Sequence, residues 1–293
     1  MVIDNLSSYS KFTDMRKLFT LVLCSLLTHW LWAQTTYTVT NTNDDGAGSL
    51  REAMTLAEGS SGADIIDMTG ITGTITLASA LPDITQDLTI NGPGSSDLAL
   101  DGADTYRIFF IVNETAPTVV INDLTLQNGL AKGQDKNYAG AGAGMGGAIY
   151  ADNANLSLEN VVLDGNTAQG GNGGVAGGTH SGGAGPFDTG GAPGSSGPNG
   201  NPGGTGGFGS GGGVGGGDTV YGGGANGRGG TGGYGAGAGA PGVANFQAPG
   251  TSPGGTGGMF GGGTNSFNGS SSSSARSGGG GGGLGGALFV RAG

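Results

Sequence analysis

Cysteine is all but missing from this sequence: of 293 residues only Cys24 carries a thiol, and it lies in the apolar run near the N-terminus. With that run removed, no disulfide and no thiol chemistry remain. Basic residues are scarce as well, ten Lys and Arg against 21 Asp and Glu, for a formal charge of −11. No Lys/Arg cluster stands ready to neutralise phosphates, which excludes nucleic acid as a partner and leaves an acidic, solvated exterior. Aromatic residues make up 6%, and no stretch approaches the ~18 consecutive apolar residues that a membrane-crossing helix needs. What the chain has instead is glycine, 72 residues of it, far more than a core can use.

The glycine is not spread evenly, and the rest of the sequence divides around it. Lys11, Arg16 and Lys17 precede an apolar run from Leu18 to Leu27 that ends at "LWAQ". This is the pattern of a secretory leader over residues 1–33, with cleavage after Ala33 leaving Gln34 first. Leu31 is larger than the residue usual two places upstream of a cut, and Met15 is an alternative start. "LVLC" fits a lipidated cysteine poorly, because Leu23 stands where a small residue belongs. The expected location is therefore outside the cell or on a bacterial surface, associated with an outer membrane.

Residues 34–168 hold nearly all of the periodic apolar pattern. "SLREAMTLAEG" predicts a short helix: Ser49 is the N-cap, Glu52 completes a capping box, and Gly59 is the stop. Its apolar positions Leu50, Ala53, Met54 and Ala57 share one face. Strand-length runs follow, among them "ADIIDM", "DLTINGPG", "RIFFIVNE" and "TVVINDLTLQNG". Leu88–Gly92 recurs as Leu124–Asn128 and as Val161–Gly165, at offsets of 36 and 37, and Val119–Ile121 recurs as Leu156–Leu158. A repeat of that length built of short strands signals a solenoid, with Leu88, Leu124 and Val161 expected in one stacked column. Polar Asn122-Asp123 interrupts the inward alternation between Ile121 and Leu124, which places a corner there. An amphipathic helix just before the first coil is a suitable lid over an open sheet edge, so residues 34–68 are expected to be a cap and 69–168 the coils.

Residues 169–282 form a glycine-rich insertion, and 283–293 resume the earlier pattern: "GLGGALFVRAG" echoes "GMGGAIYAD" at 144–152. The echo is expected to open the next coil of a longer protein. Within the insertion "GGTGG" recurs before Phe208, Tyr234 and Met259-Phe260. Two arrangements stay open for it: a flexible tract, favoured by the backbone entropy of glycine, or extended polyglycine segments docked beside the solenoid with the aromatics at their edge.

The run "VTNTNDDGAGSLREAM", then "GADIIDM", "GTITLASALPDITQDLTINGPG" and "LALDG", resembles the N-terminal cap module named for its Cys-Ser-Leu-Arg-Glu-Ala motif, found on large bacterial surface proteins. Gly48 stands in place of that Cys. "GGAI" at 146–149 and "GGAL" at 285–288 resemble the Gly-Gly-Ala-aliphatic repeat of polymorphic outer-membrane proteins. The Phe-x-x-Asn partner of that repeat is present only as Leu163-Asp164-Gly165-Asn166. The resemblance implies an all-β protein, a right-handed parallel β-helix of the pectin-lyase kind with a capping helix.

A fold of this kind offers a few places for enzyme chemistry. Hydrolases of this architecture need paired carboxylates about 5 to 9.5 Å apart. The expected register would stack Asp87 on Asp123 at a corner, close enough to share a cation such as Ca²⁺. Asn160 occupies the next position, and no basic or aromatic partner for a sugar is evident beside them. A lyase needs a base next to clustered acids, and Arg51, Arg107, Lys132 and Lys136 have no such neighbours in sequence. His180 sits among glycines, a poor setting for a Ser-His-Asp site. "GVGGGDTVYGG" approaches a Ca²⁺-binding nonapeptide at Asp218 but departs at Val214, and one imperfect copy builds no roll.

The expectation from sequence is thus a secreted or surface protein without catalytic residues, resident metal or cofactor, structural or adhesive in role. Its expected partners are glycans or the surfaces of host or neighbouring cells. The runner-up is a glycan-binding or glycan-degrading β-helix with an aromatic-lined groove.

Overall fold

The computed structural model describes residues 34–137, 139–174, 190–193, 201–212, 228, 231–238, 251–252, 257, 259, 261, 267–268 and 280–291. Residues 1–33, where a leader is expected, lie outside the described residues, as do His180 and Asp218. The described chain is all-β apart from one short helix.

That helix, α1 (Leu50–Glu58), begins as its sequence dictates. Ser49 Oγ accepts from the Glu52 backbone N–H at 3.2 Å, and Glu52 Oε2 accepts from the Gly48 N–H at 2.6 Å. The first bond satisfies a donor of the first turn, and the second ties the residue before the cap to the helix. Gly59 closes the helix by donating to Thr55 O, at φ −84° and so without a left-handed turn. The buried face is Leu50, Ala53, Met54 and Ala57, packed against the edge strand β1 (Thr36–Thr38) and its neighbour β2 (Asp64–Asp67).

Numbered in chain order, β1, β2, β4 (Leu88–Asn91), β7 (Thr118–Asn122) and β13 (Asn155–Glu159) lie side by side in a five-stranded parallel sheet. A second parallel sheet orders β3 (Gly73–Thr76), β5 (Leu98–Asp101), β8 (Thr125–Gln127) and β14 (Val162–Asp164). A third holds β6 (Phe109–Val112), β12 (Ile149–Asp152) and β20 (Leu288–Arg291). The chain visits these sheets in a recurring order: β4, β5 and β6 contribute one strand to each, and β7, β8 and β12 do so again. Shorter parallel pairs join β9 (Leu130–Lys132) to β15 (Thr167–Gln169), β10 (Lys136–Asn137) to β16 (Gly173–Gly174), and β11 (Gly144–Met145) to β19 (Gly283–Leu284). One antiparallel pair, β17 (Thr251–Ser252) with β18 (Phe267–Asn268), lies within the insertion.

Strand alternation places one side chain in two toward a common core. In the first sheet Ile66, Ile90, Ile121 and Leu158 share one row, and in the second Ile75, Leu100, Leu126 and Leu163 do so. All but Leu158 and Leu163, on the last strands, are fully buried. Each such burial contributes roughly 1.5–3 kcal/mol. The predicted corner is present: Asp123 and Asn160, 37 residues apart, both adopt left-handed φ, at 56° and 53°. A single left-handed residue turns the chain from the first sheet into the second, and Asp and Asn tolerate that conformation best among residues with a side chain.

The register corrects the sequence alignment at one point. Val119 pairs with Leu156 and Leu126 with Leu163, as the 37-residue offset requires. Leu88, however, pairs with Val119, and Asn91 bonds Asn122 across 31 residues, while Leu124 belongs to the turn into the second sheet. The five-residue likeness between 88–92 and 124–128 reflects a shared strand chemistry, since strands of both sheets show the same alternation. Backbone pairing, which the alternation does not encode, decides which strand meets which.

The closing echo pairs with its original residue by residue. Ile149, Tyr150, Ala151 and Asp152 lie beside Leu288, Phe289, Val290 and Arg291, and Gly146 and Gly285 both take left-handed φ, 64° and 58°. Where the insertion between them is described, it packs as laterally bonded extended backbone. Gly206, Gly209 and Gly212 donate to Thr231, Tyr234 and Gly237, each 25 residues on, and Gly140 and Ala143 donate to Gly212 and Gly209. The docked arrangement is thus the one these residues adopt.

Candidate binding cleft beside an aromatic column

The third sheet carries aromatic side chains on its outer face because its strands repeat an aromatic at the same register: Phe110, Tyr150 and Phe289. Their rings stack at 5.3 Å centroid spacing, Phe110 on Tyr150 and Tyr150 on Phe289. The insertion adds to this column. Phe208 meets Phe289 at 6.1 Å and lies flat against Tyr234 at 5.3 Å. Offset and tilted ring pairs of this kind add roughly 0.5–1.5 kcal/mol each beyond area burial.

Two arginines fasten the column. Arg291 forms a two-pronged ion pair with buried Asp152 while its guanidinium lies 4.4 Å over the Phe208 ring. Donating to the Asp152 carboxylate holds the Arg291 guanidinium in its charged form more firmly than usual. Arg107 sits at the other end, 5.1 Å from the Phe110 centroid and 5.4 Å from that of Tyr150. Its Nε and Nη2 each donate at 2.9 Å, to Gly146 O and Met145 O. It thereby fixes the left-handed turn that starts the Gly-Gly-Ala phrase. Burial pushes the Arg107 pKa down to about 10, against the opposing pull of Tyr150 and Asp83. Burial likewise pushes the Tyr150 hydroxyl well above the ordinary tyrosine range, with the Asp152 carboxylate adding to it.

Beside Arg107 opens a cavity of about 250 Å³ lined by Ala80, Leu81, Asp83, Arg107, Ile108 and Phe110. One wall is the loop 79–86, and the helix holds that loop at both ends. Arg51 Nη1 and Nη2 donate to Ala80 O at 2.5 Å and Ser79 O at 3.0 Å, and Arg51 is itself held by Asp44. Glu58 accepts from the Thr85 N–H at 3.0 Å and from its hydroxyl at 2.6 Å. Ile84 then pairs with Ile111 as an isolated parallel bridge, which brings Asp83 to the Arg107 side of the third sheet. Asp83 faces the cavity without an ion pair or hydrogen bond among the described residues. Its partial burial raises the carboxyl pKa, and Arg107 only partly offsets this.

The aspartates singled out in the sequence are not brought together. Asp87 precedes β4, where its carboxylate accepts from the Thr118 N–H at 2.7 Å and its carbonyl from Asp64. Asp123 follows β7 at the opposite end of the same sheet, roughly 15 Å along the strands, and accepts from Asn160 Nδ2 at 2.9 Å. The register shift described above separates them. Between neighbouring strands of the first sheet, Asn122 Nδ2 donates to Asn91 Oδ1 at 3.0 Å. Asn128 does pair in conformation with Gly165, both left-handed. Among the described residues no three His, Cys, Asp or Glu side chains converge as metal ligands, and no helix is long and apolar enough to cross a membrane.

Sequence reasoning did not single out Asp83; Arg107, set aside for want of an acidic cluster beside it, shares a cavity with that one carboxylate and an aromatic wall. A signal existed: the register of "FFIV" with "IYAD" sets Phe110 beside Tyr150 and leaves Arg107 just outside the strand. No family model, curated protein or solved structure matches the chain.

Proposed function

We propose that the chain is an exported bacterial surface or secreted protein, structural or adhesive rather than catalytic, whose sheets wind as one right-handed parallel β-helix beneath a helical cap. The recurring order in which the chain visits its three sheets carries this reading. A strand, a left-handed corner, a second strand and a third, each paired in parallel with its counterpart one round later, is the local signature of such a coil. Right-handedness follows from the strong preference of parallel crossovers for that hand. The helix fits the cap role because it covers β1, the edge strand at the N-terminal end of the first sheet.

Adhesion suits stacked coils because repetition multiplies weak contacts. The degrading alternative predicts an aromatic-lined groove with paired acids; Asp87 and Asp123, at opposite ends of the first sheet, do not supply that pair. Export from residues 1–33 rests on the sequence pattern alone. The test is expression of the full chain in a Gram-negative host, with mass spectrometry of the envelope and medium fractions and a binding assay on cells and polysaccharides. The expected result is a mature N-terminus at Gln34 and retention on at least one surface without depolymerisation. An uncleaved cytosolic product, or polysaccharide turnover abolished by Asp123→Asn, would overturn the proposal.

A further inference from the structure

The cavity between the loop 79–86 and Arg107 supports a more specific statement, which rests on the adhesive reading and names its ligand class. We propose that this cavity is a binding subsite for a single neutral pyranose ring, with Asp83 accepting a sugar hydroxyl, Arg107 donating to a ring or hydroxyl oxygen, and Leu81, Ile108 and Phe110 receiving the C–H face.

Four observations converge on it. The volume of about 250 Å³ falls just under the range of drug-sized pockets, which matches one ring rather than an extended chain. Its polar groups are complementary and not spent on each other: Arg107 and Asp83 form no salt bridge, and Arg107 Nη1 makes no hydrogen bond among the described residues. Its apolar groups lie on the same cavity, so a ligand is required to present hydroxyls and a C–H face together, which is the chemistry of a saccharide. Finally, the walls are preorganised. Arg51 and Glu58 fix the loop, and two backbone carbonyls with two rings fix Arg107, so binding orders little that is not already ordered.

The site also discriminates by charge. An anionic uronate would gain Arg107 but meet the Asp83 carboxylate on the same cavity. A neutral hexose uses both groups, as acceptor and as donor.

The experiment is saturation-transfer NMR on the full chain with methyl glucoside, methyl galactoside, methyl mannoside and galacturonate as probes. The expected result is transfer from the protein to ring C–H protons of at least one methyl hexoside, with millimolar affinity weakened at least tenfold by Asp83→Ala. Asp83 bonds no other described residue, so unfolding of that variant should match the parent. Should Asp83→Ala fail to fold, Asp83→Asn and the cavity-filling Ala80→Phe, at an exposed position, are expected to produce the same loss. No transfer from any hexoside, a preference for galacturonate, or binding indifferent to all three substitutions would overturn the subsite. Surface adhesion that survives Asp83→Ala in a chain that binds no hexoside sinks the subsite and leaves the adhesive reading standing. Hexoside binding without any surface adhesion does the reverse.

Discussion

Replacing Gly140 by alanine tests whether the glycine-rich segments are close-packed. Gly140 is buried in the run 139–150, where its N–H donates to Gly212 O at 2.9 Å while Gly237 donates to its neighbour Ala141 at 3.0 Å. A Cβ at 140 would fall within 3.0 Å of the Gly237 carbonyl oxygen, closer than real Cβ atoms come. Because the obstacle is the backbone of Gly237 and Ala238 rather than the end of a flexible side chain, the segments must separate, and the flanking bonds stretch or break. Two hydrogen bonds at about 0.5–1.5 kcal/mol each, with overpacking strain of about 1–3, give a cost of about 3 kcal/mol. Gly70→Ala is the control, since nothing lies within 4 Å of a Cβ there and its φ is ordinary. That change should be neutral or slightly stabilising, through the unfolded chain. Hydrogen exchange by mass spectrometry over residues 139–143 and 206–212 reads the difference, and about 3 kcal/mol corresponds to exchange roughly 150-fold faster. Equal protection in the two variants would refute the packing argument and return these segments to a flexible tract.

Three further outcomes follow from the same geometry. Ser49→Ala removes the helix cap and should cost about 1 kcal/mol, a fall in Tm of roughly 2–4 °C in a thermal melt. Asp152→Asn deprives Arg291 of its charge partner; because the Arg291 side chain is 42% exposed, the loss should be about 1–2 kcal/mol, with a change in near-ultraviolet circular dichroism as Phe208 shifts. Stability should fall as the solution is acidified below the ordinary aspartate value of 3.8, because three carboxyls, those of Asp67, Asp101 and Asp135, are depressed in the folded state. Thr69 holds Asp67 down through its hydroxyl and backbone N–H, and at Asp101 burial is outweighed by bonds from Gln127, Ala103 and Asn128. A depressed carboxyl stabilises above its unfolded pKa and loses that contribution as pH drops through the folded one, so an acid titration of unfolding should show the loss there and none at neutral pH.

How far the fold could be read ahead of the structure depended on whether a signal was local. The helix was fully legible, from Ser49 through Glu52 to the four buried apolar positions, because capping and a helical period are short-range properties. The corner at Asp123 and the 37-residue pairings of Val119 and Leu126 were legible because polar residues interrupt two copies in the same way. The pairing of Leu88 was not, since the earlier rounds are shorter and like strands of different sheets are alike in alternation. The cavity was hidden for a further reason. Asp83 reaches Arg107 only because Arg51 and Glu58 fold a loop back on the helix, and no periodicity marks a contact made through a third element.

The residue-by-residue match of β12 with β20 spans 139 positions and therefore has a clock attached. Joining ends so far apart costs little more at equilibrium than a short loop would, because closure entropy grows only logarithmically. Time is less forgiving: at 5–20 residues per second a ribosome needs roughly 7–28 s to deliver Arg291 after Asp152. Throughout that interval the far side of β12 waits without its partner strand, open to whichever extended backbone arrives first. A holding chaperone, or synthesis fast enough to shorten the wait, should raise the yield of the native pairing over chains joined to one another.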